Sequence, residues 1–160
     1  PFIANWQGYI PAGTTSDAII NITDVFATLN ELLEGKIPEP KTAPDSFSFL
    51  NAMLNPDGKA GTDRESRINS NMGGMRAIRR GPWKYVEGKY PDVTPERFRN
   101  HDEPQLYNLS QDIKEQKNVI KEYPQIAAQL QNELDKIIDT GSERALIGKQ
   151  SDNFRLPETD

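Results

Sequence analysis

Arg76-Ala77-Ile78-Arg79-Arg80-Gly81-Pro82-Trp83-Lys84-Tyr85-Val86-Glu87 is the stretch on which the fold turns. Two short runs flank Gly81-Pro82, a dipeptide that makes a turn and interrupts a strand. A period of two puts Arg76, Ile78 and Arg80 on one side of a strand and Ala77 and Arg79 on the other. Residues 75 to 81 and 83 to 87 therefore read as adjacent antiparallel strands.

Outward from this hairpin the strand pattern persists. Ser66 to Met72 reads as a strand ahead of it, punctuated by Gly73-Gly74, and Gln105-Leu106-Tyr107-Asn108 as a fourth strand behind it. Between them, Lys89 to Glu103 is polar and proline-bearing, the mark of a long surface excursion, and such loops are often functional. From Pro124 the period becomes helical. Ile126, Leu130, Leu134, Ile137 and Ile138 trace one apolar face up to Gly141, and Pro124 suits the first turn, where its missing N–H costs nothing. The expectation is an α+β unit over residues 61–141, a four-stranded antiparallel sheet packed against one long helix, followed by a polar tail over 142–160.

Upstream, Val25, Phe26, Leu29, Leu32 and Leu33 recur at helical spacing, with Thr23 as N-cap, Asp24 in the first turn and Gly35 as a left-handed stop. Lys36 to Pro44 holds three prolines and no period, so it is an irregular connection. Asp45 or Ser46 then caps a short helix carrying Phe49, Leu50, Met53 and Leu54, and residues 55 to 65 form a loop. Phe2-Ile3-Ala4-Asn5-Trp6 reads as a short buried strand bounded by Gln7-Gly8. An apolar run that begins at once after Pro1 is expected to be a cut end. No internal repeat is found.

Composition narrows the function classes. With 35% hydrophobic and 27% charged residues, the 160-residue chain can build a modest core and is not a disordered polymer. A formal charge of −5 argues against broad binding to nucleic acid or to an anionic membrane. There is no run of apolar residues long enough to span a bilayer, and the absence of cysteine excludes disulfides and thiolate chemistry within the chain.

Four stretches, in order, resemble the C-terminal region of the formylglycine-dependent sulfatases, arylsulfatase-like members of the alkaline phosphatase superfamily. They are Phe2-Ile3-Ala4-Asn5-Trp6-Gln7-Gly8-Tyr9-Ile10-Pro11-Ala12-Gly13-Thr14; Ser16-Asp17-Ala18 with Thr23-Asp24-Val25-Phe26-Ala27-Thr28-Leu29 and then Asp45-Ser46-Phe47-Ser48-Phe49-Leu50; Arg76 to Tyr85; and Gln105-Leu106-Tyr107-Asn108-Leu109 with Asp112, Glu115-Gln116 and Asn118. Gln7 and Ile113 stand where the family commonly has proline. The resemblance implies that residues 1–60 form the C-terminal edge of a large α/β sulfatase domain. It also implies that the reaction, sulfate-ester hydrolysis, uses a formylglycine nucleophile made in a Cys/Ser-x-Pro-x-Arg motif beside calcium. That motif and the family's metal ligands belong upstream, so no catalytic, cofactor-binding or metal residue is assigned here. The implied partners are the N-terminal catalytic domain and a sulfate ester, with no nucleic acid or membrane. The implied locations are periplasmic, secreted or lysosomal.

Asn69, Asn71, Arg79 and His101 are the candidates for a substrate rim. Glycines beside Asn69-Ser70-Asn71 permit close backbone approach, guanidinium forks suit oxyanions, and an imidazole can donate to sulfate or hydroxyl oxygens. The plainer readings are a Gly-Gly hairpin, a charged sheet face and a solvated loop histidine. Trp83 and Tyr107 are expected to pack between sheet and helix. Asn21-Ile22-Thr23 and Asn108-Leu109-Ser110 satisfy the glycosylation pattern, a signal too common to fix a location. The competing readings are a stand-alone module that binds sulfated glycans without cleaving them and a phosphate-ester hydrolase of the same superfamily.

Overall fold

The computed structural model describes residues 2–56, 62, 64–88, 90, 92, 94–96 and 102–144. They form two compact units, one from the residues up to 65 together with those from 142 to 144, the other centred on residues 66 to 141.

The first unit holds helices α1 (Asp24–Glu34) and α2 (Leu50–Leu54). Gly35 ends α1 at φ 69°, a left-handed conformation that a Cβ disfavours, and its N–H donates to the Glu31 carbonyl. The helix start departs from expectation. Thr23 has helical backbone angles and makes no side-chain cap; its hydroxyl donates instead to the Asp45 carbonyl at 3.0 Å. Ser46, expected at α2, serves α1. Its Oγ accepts from the Ala27 N–H at 2.9 Å and donates to the Thr23 carbonyl at 2.7 Å, filling the slot of one helical hydrogen bond. Asp45 does not cap α2 either, since its Oδ1 accepts from the Glu143 N–H; the Leu50 N–H at the start of α2 donates to Ser48 Oγ. Local spacing cannot reveal a cap supplied across 19 residues of chain.

Asp24 is the buried centre of this unit. Its carboxylate accepts from the Asn21 and Phe47 N–H groups at 2.7 and 3.0 Å and from Arg64 through Nε at 2.9 Å and a terminal nitrogen at 2.7 Å. Arg64 also reaches the Asp45 carbonyl at 2.8 Å and the Glu143 carboxylate, and stacks on the Phe47 ring 4.4 Å from its centroid. Burial pulls the Arg64 pKa down, but the Asp24 hydrogen bond and the two carboxylate charges outweigh it and hold it above its ordinary value. The cation is fixed.

Phe26, Leu29 and Leu33 of α1 are exposed, whereas Asp24, Ala27 and Thr28 are buried. The apolar side of α1 is thus not the core of this unit. Phe2 to Trp6 is likewise no ladder-paired strand: Ile3 is 89% exposed, Phe2 meets Phe49 edge-on at 5.2 Å, and Trp6 stacks on Tyr9 at 4.1 Å. A strand exists only through its neighbour, and no described residue pairs with this segment.

The second unit is an antiparallel sheet in the order β1-β2-β3-β4, made of β1 (Ser66–Ser70), β2 (Arg76–Arg80), β3 (Trp83–Val86) and β4 (Gln105–Asn108), with α3 (Pro124–Thr140) on one face. Ile78, Trp83, Tyr85 and Leu106 point toward α3 and pack with Val119, Ile126, Ala127, Leu130, Leu134 and Ile137. Leu130 and Leu134 are fully buried, each contributing about 1.5–3 kcal/mol. Ile138, expected on this face, lies 38% exposed, because the apolar stripe has turned past it. Polar links cross the interface as well, among them Arg80 to Glu133 at 2.9 Å and the Tyr85 hydroxyl to the Gln131 side chain. Burial, then the charges of Glu87 and Asp135, raises the Tyr85 phenol above its ordinary pKa.

At β4, Asn118 Oδ1 accepts from the Leu106 and Ile120 N–H groups at 3.0 and 3.1 Å, and the Val119 N–H donates to the Leu106 carbonyl at 2.9 Å. The strand edge is thereby covered by side chain and loop. After β3, Gly88 passes so close to residues 103–104 that a Cβ would sit 2.3 Å from the Pro104 nitrogen.

Three substitutions check this account. Arg64→Met strands Asp24 and Glu143 in a dry site, and urea titration is expected to show a loss of about 3–5 kcal/mol. Gly88→Ala forces backbone against backbone and is expected to cost about 1–3 kcal/mol in the same titration, whereas Gly35→Asn should be tolerated better because asparagine accepts left-handed angles.

Candidate functional site

The sheet face turned away from α3 is ordered by register. Arg67 stands opposite Arg79, Arg79 opposite Lys84, and Lys84 opposite Tyr107. One row along, Asn69, Ala77, Val86 and Gln105 line up in the same way. Neighbouring strands lie about 4.8 Å apart, so the first row sets three cations across roughly 10 Å.

Each member is oriented by a bond within the sheet or its flanking turn. Lys84 Nζ donates to both oxygens of Glu115, at 2.7 and 2.6 Å. Glu115 has φ 55°, unusual for a residue with a side chain. Arg79 Nε donates to the Gly81 carbonyl and Arg67 Nε to Asn69 Oδ1, each at 3.1 Å. The Tyr107 hydroxyl donates to Gln105 Oε1 at 2.9 Å, and its pKa is raised by burial first and then by the charges of Glu115 and Asp112. Tyr107 is buried, but on this face and not between sheet and helix as expected, because the alternation of β4 gives Leu106 to the helix side.

Beyond the row, the chain turns from β1 to β2 through Asn71-Met72-Gly73-Gly74. Asn71 shapes this turn: its Oδ1 accepts from the Gly73 and Met75 N–H groups at 2.9 and 3.0 Å, and its backbone pairs with Met75 and Gly74 at 3.0 Å. The buried Thr94 hydroxyl donates to the Gly73 carbonyl. Met72 projects from this braced turn and is 88% exposed.

Of the rim candidates, Asn69 and Arg79 share one face, Asn71 lies in the adjoining turn, and His101 falls outside the described residues. Arg76 and Arg80 point the other way, to Glu87 at 2.8 Å and to Glu133. Sequence reasoning missed Arg67. The signal was there, since Arg67 and Asn69 are two apart, but only the strand pairing puts Arg67 opposite Arg79. Among the described residues, no three of His, Cys, Asp and Glu converge on a point that could hold a metal. Calcium wants about six to eight converging oxygens, and the sequence has no Cys/Ser-x-Pro-x-Arg stretch, so the described residues do not fit a calcium-formylglycine centre.

No family model matches the chain. Individual relatives do: it is 36% identical over 141 residues to the N-acetylgalactosamine-6-O-sulfatase of Bacteroides thetaiotaomicron, an alignment that takes in 86% of this chain. The chain belongs to the sulfatase family. Arylsulfatase G of Canis lupus familiaris is 29% identical over 125 residues, and an ulvan-active sulfatase of Formosa agariphila is 33% identical over 92. A solved structure from work on glycosaminoglycan metabolism in Bacteroides thetaiotaomicron superposes with a TM-score of 0.57 at 36% identity, covering 71% of this chain and 24% of its own. Ps i-CgsB bound to a neocarrahexaose gives the same TM-score at 20% identity, a likeness of fold alone. The chain spans 27% of the first relative's length and 23% of the second's, and corresponds to a C-terminal sulfatase region.

Within this sulfatase region the braced turn is testable. Asn71→Ala removes the one side-chain oxygen that accepts both bonds, and hydrogen exchange is expected to quicken on the order of tenfold at the Gly73 and Met75 amides while those of Ile78 and Leu106 keep their protection.

Proposed function

We propose that this chain is the C-terminal scaffold of a sulfate-ester hydrolase whose bond-breaking groups lie outside residues 1–160, and that the β1–β2 turn and the adjoining sheet face form one wall of its substrate mouth. The observation that carries this reading is the alignment of 86% of the chain with little more than a quarter of a sulfatase, 27% of its length. No Cys/Ser-x-Pro-x-Arg motif occurs in the sequence, so formylglycine and its calcium belong to the remainder of the intact enzyme. This chain alone is inactive.

Residues 1–60 act as the edge of the large α/β domain, and 61–141 as the small subdomain. The exposed Phe26, Leu29 and Leu33 on α1, with Ile22 just before it, support this: a helix that offers its apolar side to water has the chemistry of one that packs against another layer. Asn69, Asn71 and Arg79, with His101 from the excursion, are the rim residues. Carboxamides and a guanidinium suit hydroxyls and sulfate oxygens. The names of two relatives, an N-acetylgalactosamine-6-O-sulfatase and an ulvan-active sulfatase, favour a sulfated saccharide as substrate. Among the described residues no helix is long and apolar enough to cross a membrane; the family favours a secreted, periplasmic or lysosomal setting.

Purified chain incubated with 4-nitrophenyl sulfate is expected to release no nitrophenol above the buffer rate, whereas the same chain joined to its upstream reading frame does. Turnover by the isolated chain, or an upstream frame without the Cys/Ser-x-Pro-x-Arg motif, sinks the proposal.

A further inference from the structure

The braced turn between β1 and β2 holds a thioether out in solvent. Met72 is 88% exposed, and its neighbours leave it so. Asn71 turns its carboxamide oxygen inward to accept from the Gly73 and Met75 N–H groups, and Gly73-Gly74 has no side chains to shield the sulfur. Gly74 sits at φ 83°, a conformation that a Cβ disfavours, so this open form of the turn belongs to the glycine. Met75, three residues on, is the opposite case, buried at 3% exposure. Met53, the third methionine of the chain, is half-buried on α2.

We infer that Met72 is a site of reversible oxidation, at which hydrogen peroxide converts an apolar side chain into a polar one without opening the turn. The Met72 sulfur attacks one peroxide oxygen, an S–O bond forms as the O–O bond breaks, and the proton of the transferred oxygen passes to the departing hydroxide. Sulfur is oxidised by two electrons and the peroxide is reduced to water. Access decides which methionine reacts first. At Met72 the new oxygen stays in water, whereas at Met75 it would be a buried polar atom in need of a partner. The turn survives because its braces are elsewhere: the Asn71 carboxamide, the pairing of the Asn71 backbone with Met75 and Gly74, and the Thr94 hydroxyl on the Gly73 carbonyl. Methionine sulfoxide reductases return the sulfoxide to the thioether, so the change runs both ways. On the wall proposed for the substrate mouth it would exchange an apolar contact for a hydrogen-bond acceptor. That consequence rests on the wall reading, whereas the oxidation does not.

The experiment is a time course of the full 160-residue chain in dilute hydrogen peroxide. Trypsin then releases residues 68–76, which carry both Met72 and Met75, and tandem mass spectrometry locates the added oxygen. Met72 is expected to oxidise on the order of tenfold faster than Met75 in the native chain and ahead of Met53, and at the same rate as Met75 in concentrated urea. Met72→Leu should abolish the fast phase. After one oxidation the Gly73 and Met75 amides should keep their hydrogen-exchange protection within about twofold, and reductase with dithiothreitol should restore the parent mass. Equal native rates, a rate difference that persists in urea, a fast phase that outlives Met72→Leu, or loss of protection at Gly73 and Met75 on oxidation overturns the inference. None of those results touches the family reading, which the upstream frame and the sulfatase assay decide.

Discussion

A guanidinium buried between two carboxylates holds the first unit together. Arg64 and Asp24 have no exposed side-chain surface, and a charge so placed is tolerable only when its partners are complete. They are: Asp24 takes four hydrogen bonds, and Arg64 is shared among Asp24, Asp45, Glu143 and the Phe47 ring. The start of α1, the chain at 45–47 and the return at Glu143 are thus tied to one point. The unit has few aliphatic side chains in its interior, so this polar centre does much of what a larger apolar core would do elsewhere.

The second unit follows a different rule. Its sheet divides by alternation into a face that excludes water under α3 and a face that keeps charges. On the helix side Arg80 is admitted because Glu133 meets it, and Tyr85 because Gln131 does. On the other side the same alternation collects Arg67, Arg79 and Lys84 in a row, with Asn69 beside them. The make-up of the outer face is therefore a by-product of core formation. Once Ile78, Tyr85 and Leu106 are committed to the helix, their neighbours have no other direction to take.

Much of this was legible in the chain. The Gly81-Pro82 hairpin, the strand at 105–108 and the apolar stripe of α3 appear where the periods of two and 3.6 put them, and the sulfatase wording of four stretches agrees with the relatives found. Failures occurred where a partner was distant. Thr23 looked like a cap, but Ser46 filled the role; Tyr107 looked like a core residue under the helix, but the phase of β4 sent it to the other face; Arg67 was passed over until strand pairing set it against Arg79.

What the sequence determined by itself is periodic and local: where α1, α3 and the four sheet strands lie, where glycine must stop a helix, which family the wording belongs to, and that no thiol chemistry resides here. What only the tertiary structure decided is pairing, in the Asp24–Arg64 centre across 40 residues, the Asn118 side chain closing the β4 edge, and the register that lines up the cations. The physical reason is one of range. Dihedral preference and hydrophobic period act between residues a few positions apart, whereas a buried charge or an unpaired strand edge is satisfied by whichever group the fold brings within about 3 Å.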